Sequence, residues 1–157
     1  MRRLRVLVVD DSRAHLAAAV EQLSADHEVT TTDSYEEALE KIRAETYDAV
    51  LSDLMMPAEP HALGTEGLKH LGHPVAIGFV VALCAARAGV QMVAVITDAN
   101  HHNHPMSAAL DFLGPANWHH GGTPPFQVNG ARVIVAHAPL LLDGRKDWKT
   151  ALAALAD

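Results

Sequence analysis

The chain has 157 residues, 49% hydrophobic and 20% charged, which fits one compact domain and leaves no length for a second of ordinary size. Twelve Lys and Arg against nineteen Asp and Glu give a formal charge of −7, which argues against direct nucleic-acid binding, because a phosphate-backbone binder needs a cationic field to displace counterions. One cysteine, Cys84, excludes an internal disulfide; Met1 to Arg5 carry no signal-peptide pattern; and the longest apolar stretch, Val75 to Ala86, falls short of the roughly 20 residues that span a bilayer, so a soluble, cytoplasmic protein without membrane contact is expected.

Leu4 to Val9 is a β-branched run ending at Asp10-Asp11-Ser12, followed by Leu16, Ala19, Val20 and Leu23 at helical spacing. His27 to Thr32 predicts a second strand, and Ser34-Tyr35-Glu36-Glu37 is a capping box for a helix with Ala38, Leu39 and Ile42 inward. Tyr47 to Ser52 predicts a third strand ending at Asp53, after which Pro57 and Pro60 forbid an immediate helix. Residues 58 to 73 then form an inserted loop well beyond the usual two to six, long enough to cover a neighbouring face.

Pro74 fits a first helical turn, and Val75 to Arg87 reads as a helix apolar on every side, stopped by Gly89. Either the inserted loop covers its outer face or a second copy of the chain does, making a homodimer with Val81 as an outward position. Gln91 to Ile96 predicts a fourth strand ending at Thr97-Asp98, and Ser107 to Leu113 a helix. Gly114 to Gly130 is turn-rich, Arg132 to Ala136 predicts the fifth strand, and Trp148, Leu152 and Leu155 mark a last helix.

Alternating strands and helices imply right-handed crossovers and a doubly wound α/β fold: a five-stranded parallel sheet with helices on both faces, and enlarged loops after the third strand and before the fifth. Ligands of such sheets bind beyond the carboxyl ends of the strands. Those ends carry Asp10, Asp11, Asp53, Thr97 and Asp98. Crowded carboxylates call for a hard divalent cation such as Mg2+, and a strand-end Asp beside that cation can accept a phosphoryl group while a nearby hydroxyl donates to its oxygens. Helix capping by Asp11 or Ser12 is the alternative use of the first cluster.

Val8-Val9-Asp10-Asp11-Ser12, Ala49-Val50-Leu51-Ser52-Asp53-Leu54-Met55-Met56-Pro57 and Val95-Ile96-Thr97 resemble the three signature segments of the receiver domain of two-component response regulators. The resemblance implies a flavodoxin-like fold with strand order 2-1-3-4-5. It also implies a phosphoacceptor signalling domain rather than an enzyme: Asp53 takes phosphate from a sensor histidine kinase or phosphotransfer protein. Asp10, Asp11, Asp53 and the backbone carbonyl of Met55 hold Mg2+, Thr97 follows the phosphoryl group, and a downstream protein partner reads the state, since no output domain is expected.

Besides a longer loop after Pro57, the chain departs from the family at three residues. Receivers end the fifth strand with Lys-Pro where this chain has Ala138-Pro139, so the site is expected to lack its cation in register. Val135 stands near the family's aromatic switch residue, and Asp98 replaces a small residue. These departures fit a second reading, a pseudo-receiver scaffold that has lost switching. The eleven histidines give a third: His101, His102 and His104 beside Asp98 as a transition-metal site, on a metal-binding protein or metallohydrolase built on the same scaffold, with His61, His70, His73 and His137 able to approach the same edge. His119 and His120 with Trp118 are expected to pack the long loop, and His15 and His27 to be incidental.

Overall fold

The computed structural model describes residues 2–61, 63–114, 118 and 124–156. Four of the expected strands appear as β1 (Arg5–Val9), β2 (Glu28–Thr32), β3 (Ala49–Asp53) and β6 (Met92–Thr97), and the fifth as β8 (Ala131–His137). All five pair in parallel, in the order β2-β1-β3-β6-β8. A sixth strand, β7 (Phe126–Val128), joins the far edge antiparallel to β8. It falls within the stretch read only as turns. Asn129 and Gly130, at φ 50° and 84°, make the tight turn, because two consecutive positive φ values match the twist of the flanking strands.

Strand alternation divides the core. Leu7, Val9, Val50, Val93, Val95 and Val133 point to one face and bury Ala38 and Ile42 of α2 (Tyr35–Ala44) and Val81, Ala82 and Ala85 of α4 (Gly78–Arg87). Val6, Val8, Leu51, Ala94, Ile96 and Ile134 point to the other, against α1 (Arg13–Leu23) and α6 (Trp148–Ala156), whose Trp148, Leu152 and Leu155 are buried as expected. Among the described residues no helix is long and apolar enough to cross a membrane.

The inserted loop departs from expectation. Pro74 and Val75 form not a helical turn but a short strand, β5, antiparallel to β4 (Met56–Pro57), with α3 (Gly64–Gly67) and a 3-10 turn between them. Its Glu59 carboxylate accepts from the backbone N–H groups of Tyr35 and Glu36 and from the Ser34 hydroxyl, capping α2 alongside Ser34 itself. The loop is thus tied to α2 and leaves the outer face of α4 uncovered, with Val80 46% and Leu83 59% exposed. Val81, expected outward, is fully buried. The helix expected over Ser107 to Leu113 starts earlier, as α5 (Pro105–Ala109), and ends as a 3-10 turn over Leu110–Leu113. Proline at the first helical position fixes that start.

Gly78 opens α4 where the helix meets the strand end of β3. A Cβ there would stand 2.6 Å from the Asp53 carbonyl oxygen and 2.8 Å from the Leu54 Cα, so only glycine lets the helix approach the edge that carries Asp53.

Candidate phosphoacceptor site

β1 and β3 are neighbours in the sheet, and their runs of small and branched apolar residues end together, which brings Asp10 and Asp53 side by side. Both are buried, whereas Asp11 is exposed. Asp10, Asp11 and Asp53 can each place an oxygen within 4.8 Å of the others. Asp10 turns one oxygen to the Ser12 backbone N–H at 2.8 Å, while Ser12 caps α1 by accepting from His15 N–H. The capping role therefore falls to Ser12 and leaves Asp11 free of it. Met55 follows just beyond Asp53, half-buried. Thr97 ends β6 one position past Ile96, the partner of Asp53 in the sheet register, and its hydroxyl accepts from the Ala99 N–H.

Ala138 holds the register position, and an ammonium reaches the acidic edge instead from further along the chain. Lys146 is fully buried and its ammonium bonds Asp10 Oδ2 at 2.6 Å and Asp53 Oδ1 at 2.9 Å. After β8 the chain makes an excursion: Leu140 and Lys146 form an antiparallel bridge, Asp147 N–H donates to the Pro139 carbonyl, and Gly144 takes a φ of 83°. The lysine thus returns to the strand end from a position later in the chain. The signal that could have found it is plain: Lys146 is the first lysine after the fifth strand, directly before an amphipathic helix.

His15, expected to be incidental, holds this arrangement. Its Nδ1 accepts from the Lys146 backbone N–H at 3.2 Å, which fixes the proton on Nε2, and Nε2 donates to Asp98 at 2.9 Å. The His15 carbonyl accepts from the Trp148 indole N–H. Asp98 in turn lies 3.9 Å from the Lys146 ammonium. His27 caps the other end of the sheet, where its Nδ1 accepts from the Leu4 N–H.

Three carboxylates, of Asp10, Asp53 and Asp98, lie within 3.9 Å of one ammonium, and that of Asp11 lies beside Asp10. Burial raises the Asp53 pKa from 3.8 to about 7; Lys146 opposes the rise and Asp10 adds to it. Burial also raises Asp11, with Asp10 beside it. Burial depresses the Lys146 pKa, but Asp53 and Asp10 outweigh it and hold the ammonium charged. Asp98 is pushed up by burial yet ends below its ordinary value, because His15 and Lys146 bond and attract it.

A Mg2+ ion fits this donor set. Opposite ligands of an octahedron with bonds near 2.1 Å lie about 4.2 Å apart, within the reach of the three carboxylates, and the surplus of negative charge over Lys146 needs neutralising.

The histidines expected as a second site are brought together only in part. Asp98 is engaged by His15, and His104 caps α5 by position, with an Nδ1 that is buried without a partner among the described residues. His102 bonds His101, and His101 meets His137, expected to approach the same edge, and Asp111, which the sequence did not single out. His61, His70 and His73 are exposed on the inserted loop. Trp118 donates to the His137 carbonyl, whereas His119 and His120 lie outside the described residues.

No curated protein matches the chain. Among solved structures, a response regulator receiver protein from Sinorhizobium medicae superposes with a TM-score of 0.56 at 15% identity, covering 98% of this chain and 94% of that one. RcsB from Salmonella enterica serovar Typhimurium, bound to the rprA promoter in the presence of the phosphomimetic BeF3-, superposes with a TM-score of 0.52 at 17% identity, covering 99% of this chain and all of that one. At these identities the likeness is one of fold. The family model of the response regulator receiver domain matches residues 6–104, a span that holds Asp10, Asp11, Asp53 and Thr97. The chain belongs to the response regulator receiver domain family.

Proposed function

We propose that the chain is a receiver that accepts a phosphoryl group on Asp53 and passes the signal to a protein partner. The observation that carries this reading is the buried Lys146 ammonium bridging Asp10 and Asp53, since it supplies the cation that Ala138 cannot. The donor is a phosphohistidine of a sensor kinase or phosphotransfer protein. The Asp53 carboxylate oxygen attacks phosphorus, the P–N bond breaks, and the imidazole leaves with its electron pair and takes a proton. Bound Mg2+, held by Asp10, Asp11, Asp53 and the Met55 carbonyl, would offset charge on the transferring group. Lys146 gives up its bond to Asp53 and pairs with a phosphoryl oxygen, while the Thr97 hydroxyl donates to another. Asp10 keeps hold of the ammonium throughout, so the lysine stays placed as its partner changes.

The purified protein with Mg2+ and a small phosphodonor should gain one hydroxylamine-sensitive phosphoryl group by mass, and Asp53→Asn should gain none. A wild type that stays unmodified, or an Asp53→Asn variant modified equally, would exclude phosphoacceptor chemistry at this position. The switch-deficient scaffold reading rests on Val135, which offers no ring to rotate, and on Asp98, which adds a negative charge near the incoming phosphate. A phosphorylated form that binds its partner no differently from the unmodified form supports that reading instead.

A further inference from the structure

Three residues from three elements converge beside the acidic site. His101 lies in the loop after β6, Asp111 on the 3-10 turn after α5, and His137 at the end of β8. Asp111 Oδ2 is 2.9 Å from His101 Nδ1, and Asp111 Oδ1 is 2.9 Å from His137 Nε2. One donor atom from each residue lies within 4.8 Å of the others. They line one wall of an open cleft of about 280 Å3 that also reaches Thr97, Asp98 and Ala138.

Proton counting sets this cluster apart from ordinary polar pairing. The Ser107 hydroxyl has one hydrogen, and its 2.6 Å contact to the Ala99 carbonyl uses it. His137 Nδ1 lies 3.4 Å from the Ser107 oxygen, which can then only accept, so this contact forms in the tautomer that carries the proton on Nδ1. In the neutral ring Nε2 then presents a lone pair directly to a carboxylate oxygen. Two lone pairs facing each other at 2.9 Å require a cation between or beside them, either a second proton on the ring or a metal ion. A metal-binding histidine has this arrangement, one nitrogen toward the ion and the other donating to a fixed oxygen. His101 can take the same form: its Nδ1 meets the same carboxylate, and its Nε2 lies 3.0 Å from His102 Nε2, to which it can donate.

We propose that His101, Asp111 and His137 form a binding site for a divalent transition-metal ion such as Zn2+, distinct from the acidic site and independent of phosphorylation. Two imidazoles and one carboxylate are the donor types borderline metals favour, and they leave a fourth position open toward the cleft. Mg2+, which demands oxygen ligands, is excluded from it by the same chemistry. His102 lies close enough to His101 to orient its ring. Thr97 and His137 are partners in the register of β6 and β8, so an ion here would sit one residue pair from the hydroxyl assigned to the phosphoryl group.

The test uses the full chain without a polyhistidine tag, stripped with chelator and titrated with Zn2+ by calorimetry and with Co2+ by visible absorption. Excess Mg2+ is present throughout to occupy the acidic site. The expected result is one equivalent bound, with ligand-field bands for Co2+. Asp111→Asn and His137→Gln should each weaken binding by about tenfold or more. A His70→Ala/His73→Ala double variant, which removes the paired rings of the inserted loop, should bind as the wild type does. All these side chains are at least partly exposed, and an unchanged melting temperature confirms that the variants fold. The proposal is overturned if no stoichiometric binding occurs, if binding survives both Asp111→Asn and His137→Gln, or if it is lost with His70 and His73. An imidazole of His137 that carries protons on both nitrogens at neutral pH and does not respond to Zn2+ in nitrogen NMR would assign the missing cation to a proton instead.

Discussion

Lys146 decides the behaviour of the acidic site. A buried ion pair contributes little compared with an apolar replacement of both partners, but deleting one partner leaves an uncompensated charge and costs about 3–5 kcal/mol. Lys146→Met should therefore lower the melting temperature of the metal-free protein. The loss should be larger at pH 8 than at pH 5.5, since at the lower pH Asp53, with its pKa near 7, takes up a proton in place of the ammonium. Mg2+ affinity should rise in the same variant, because the competing positive charge is gone. Unchanged stability and Mg2+ affinity would show that Lys146 is not the partner of Asp10 and Asp53 in solution.

Asp53 also sets a pH dependence. Its folded-state pKa of about 7 stands above the ordinary 3.8, so between those values the folded protein binds a proton that the unfolded chain does not. Through this group, stability is lost as pH rises from about 4 to about 7 and does not fall further above. Asp98, whose pKa is lowered, acts in the opposite sense, with stability present above its unfolded value and lost on acidification. The Asp53 contribution is isolated by comparing wild type with Asp53→Asn in chelator: the difference in melting temperature should favour the variant increasingly from pH 5 to pH 8. A difference that is flat with pH would contradict the raised pKa.

Single residues also show how much of the site can be read from sequence. Asp10, Asp11, Asp53 and Thr97 were legible because each follows directly on an apolar strand, and the sheet topology then brings those ends together. Lys146 was legible only as the first lysine after the fifth strand; its return to the strand end was not, because that depends on a chain excursion with no regular period. His15 was missed for a related reason: a histidine on an amphipathic helix carries no sign of what a distant loop will bring against it. The cluster around Asp111 was half-legible, since the histidines drew notice but their carboxylate lies on a 3-10 turn with no motif.

At the scale of elements, the inserted loop behaves as a strap on α2 and leaves α4 open. Its anchor is Glu59, which satisfies two N–H groups at the start of that helix. Loss of a capping side chain costs about 0.5–2 kcal/mol. Glu59→Ala should therefore destabilise the protein by about that much and speed proteolysis within residues 58 to 73, with Asp53 phosphorylation little changed. Proteolysis at the wild-type rate would mean that the loop is held elsewhere. The length of this loop was legible from Pro57, Pro60 and the delayed helix, but its β4–β5 pairing was not, because strands of two residues have no readable alternation. The Asn129-Gly130 turn is different: the dipeptide is a strong hairpin signal, and β7 could have been found from it.

For the whole molecule, alternation of strands and helices was enough to predict the parallel sheet and the placement of helices on both faces, whereas the strand order came from the resemblance to the receiver family. What the pattern could not give is which face of α4 is buried, since a helix apolar all round has no preferred side. Val80 and Leu83 emerge as the exposed side chains, and self-association, if it uses this helix, uses them. Sedimentation should then show a dimer that Leu83→Glu dissociates, whereas a monomeric wild type would remove self-association from the account. Electrostatics links the parts of the proposed function: in that reading the surplus of carboxylates over ammonium at the strand ends prepares the edge for Mg2+, and Lys146 exchanges an aspartate oxygen for a phosphoryl oxygen. A crystal structure with Mg2+ and beryllofluoride tests that exchange most directly. The account predicts the adduct on Asp53, with the Lys146 ammonium moved onto a fluoride while still bonded to Asp10, and the Thr97 hydroxyl on another fluoride. An Asp53 free of adduct, with Lys146 still locked between the two aspartates in the presence of both reagents, would contradict it.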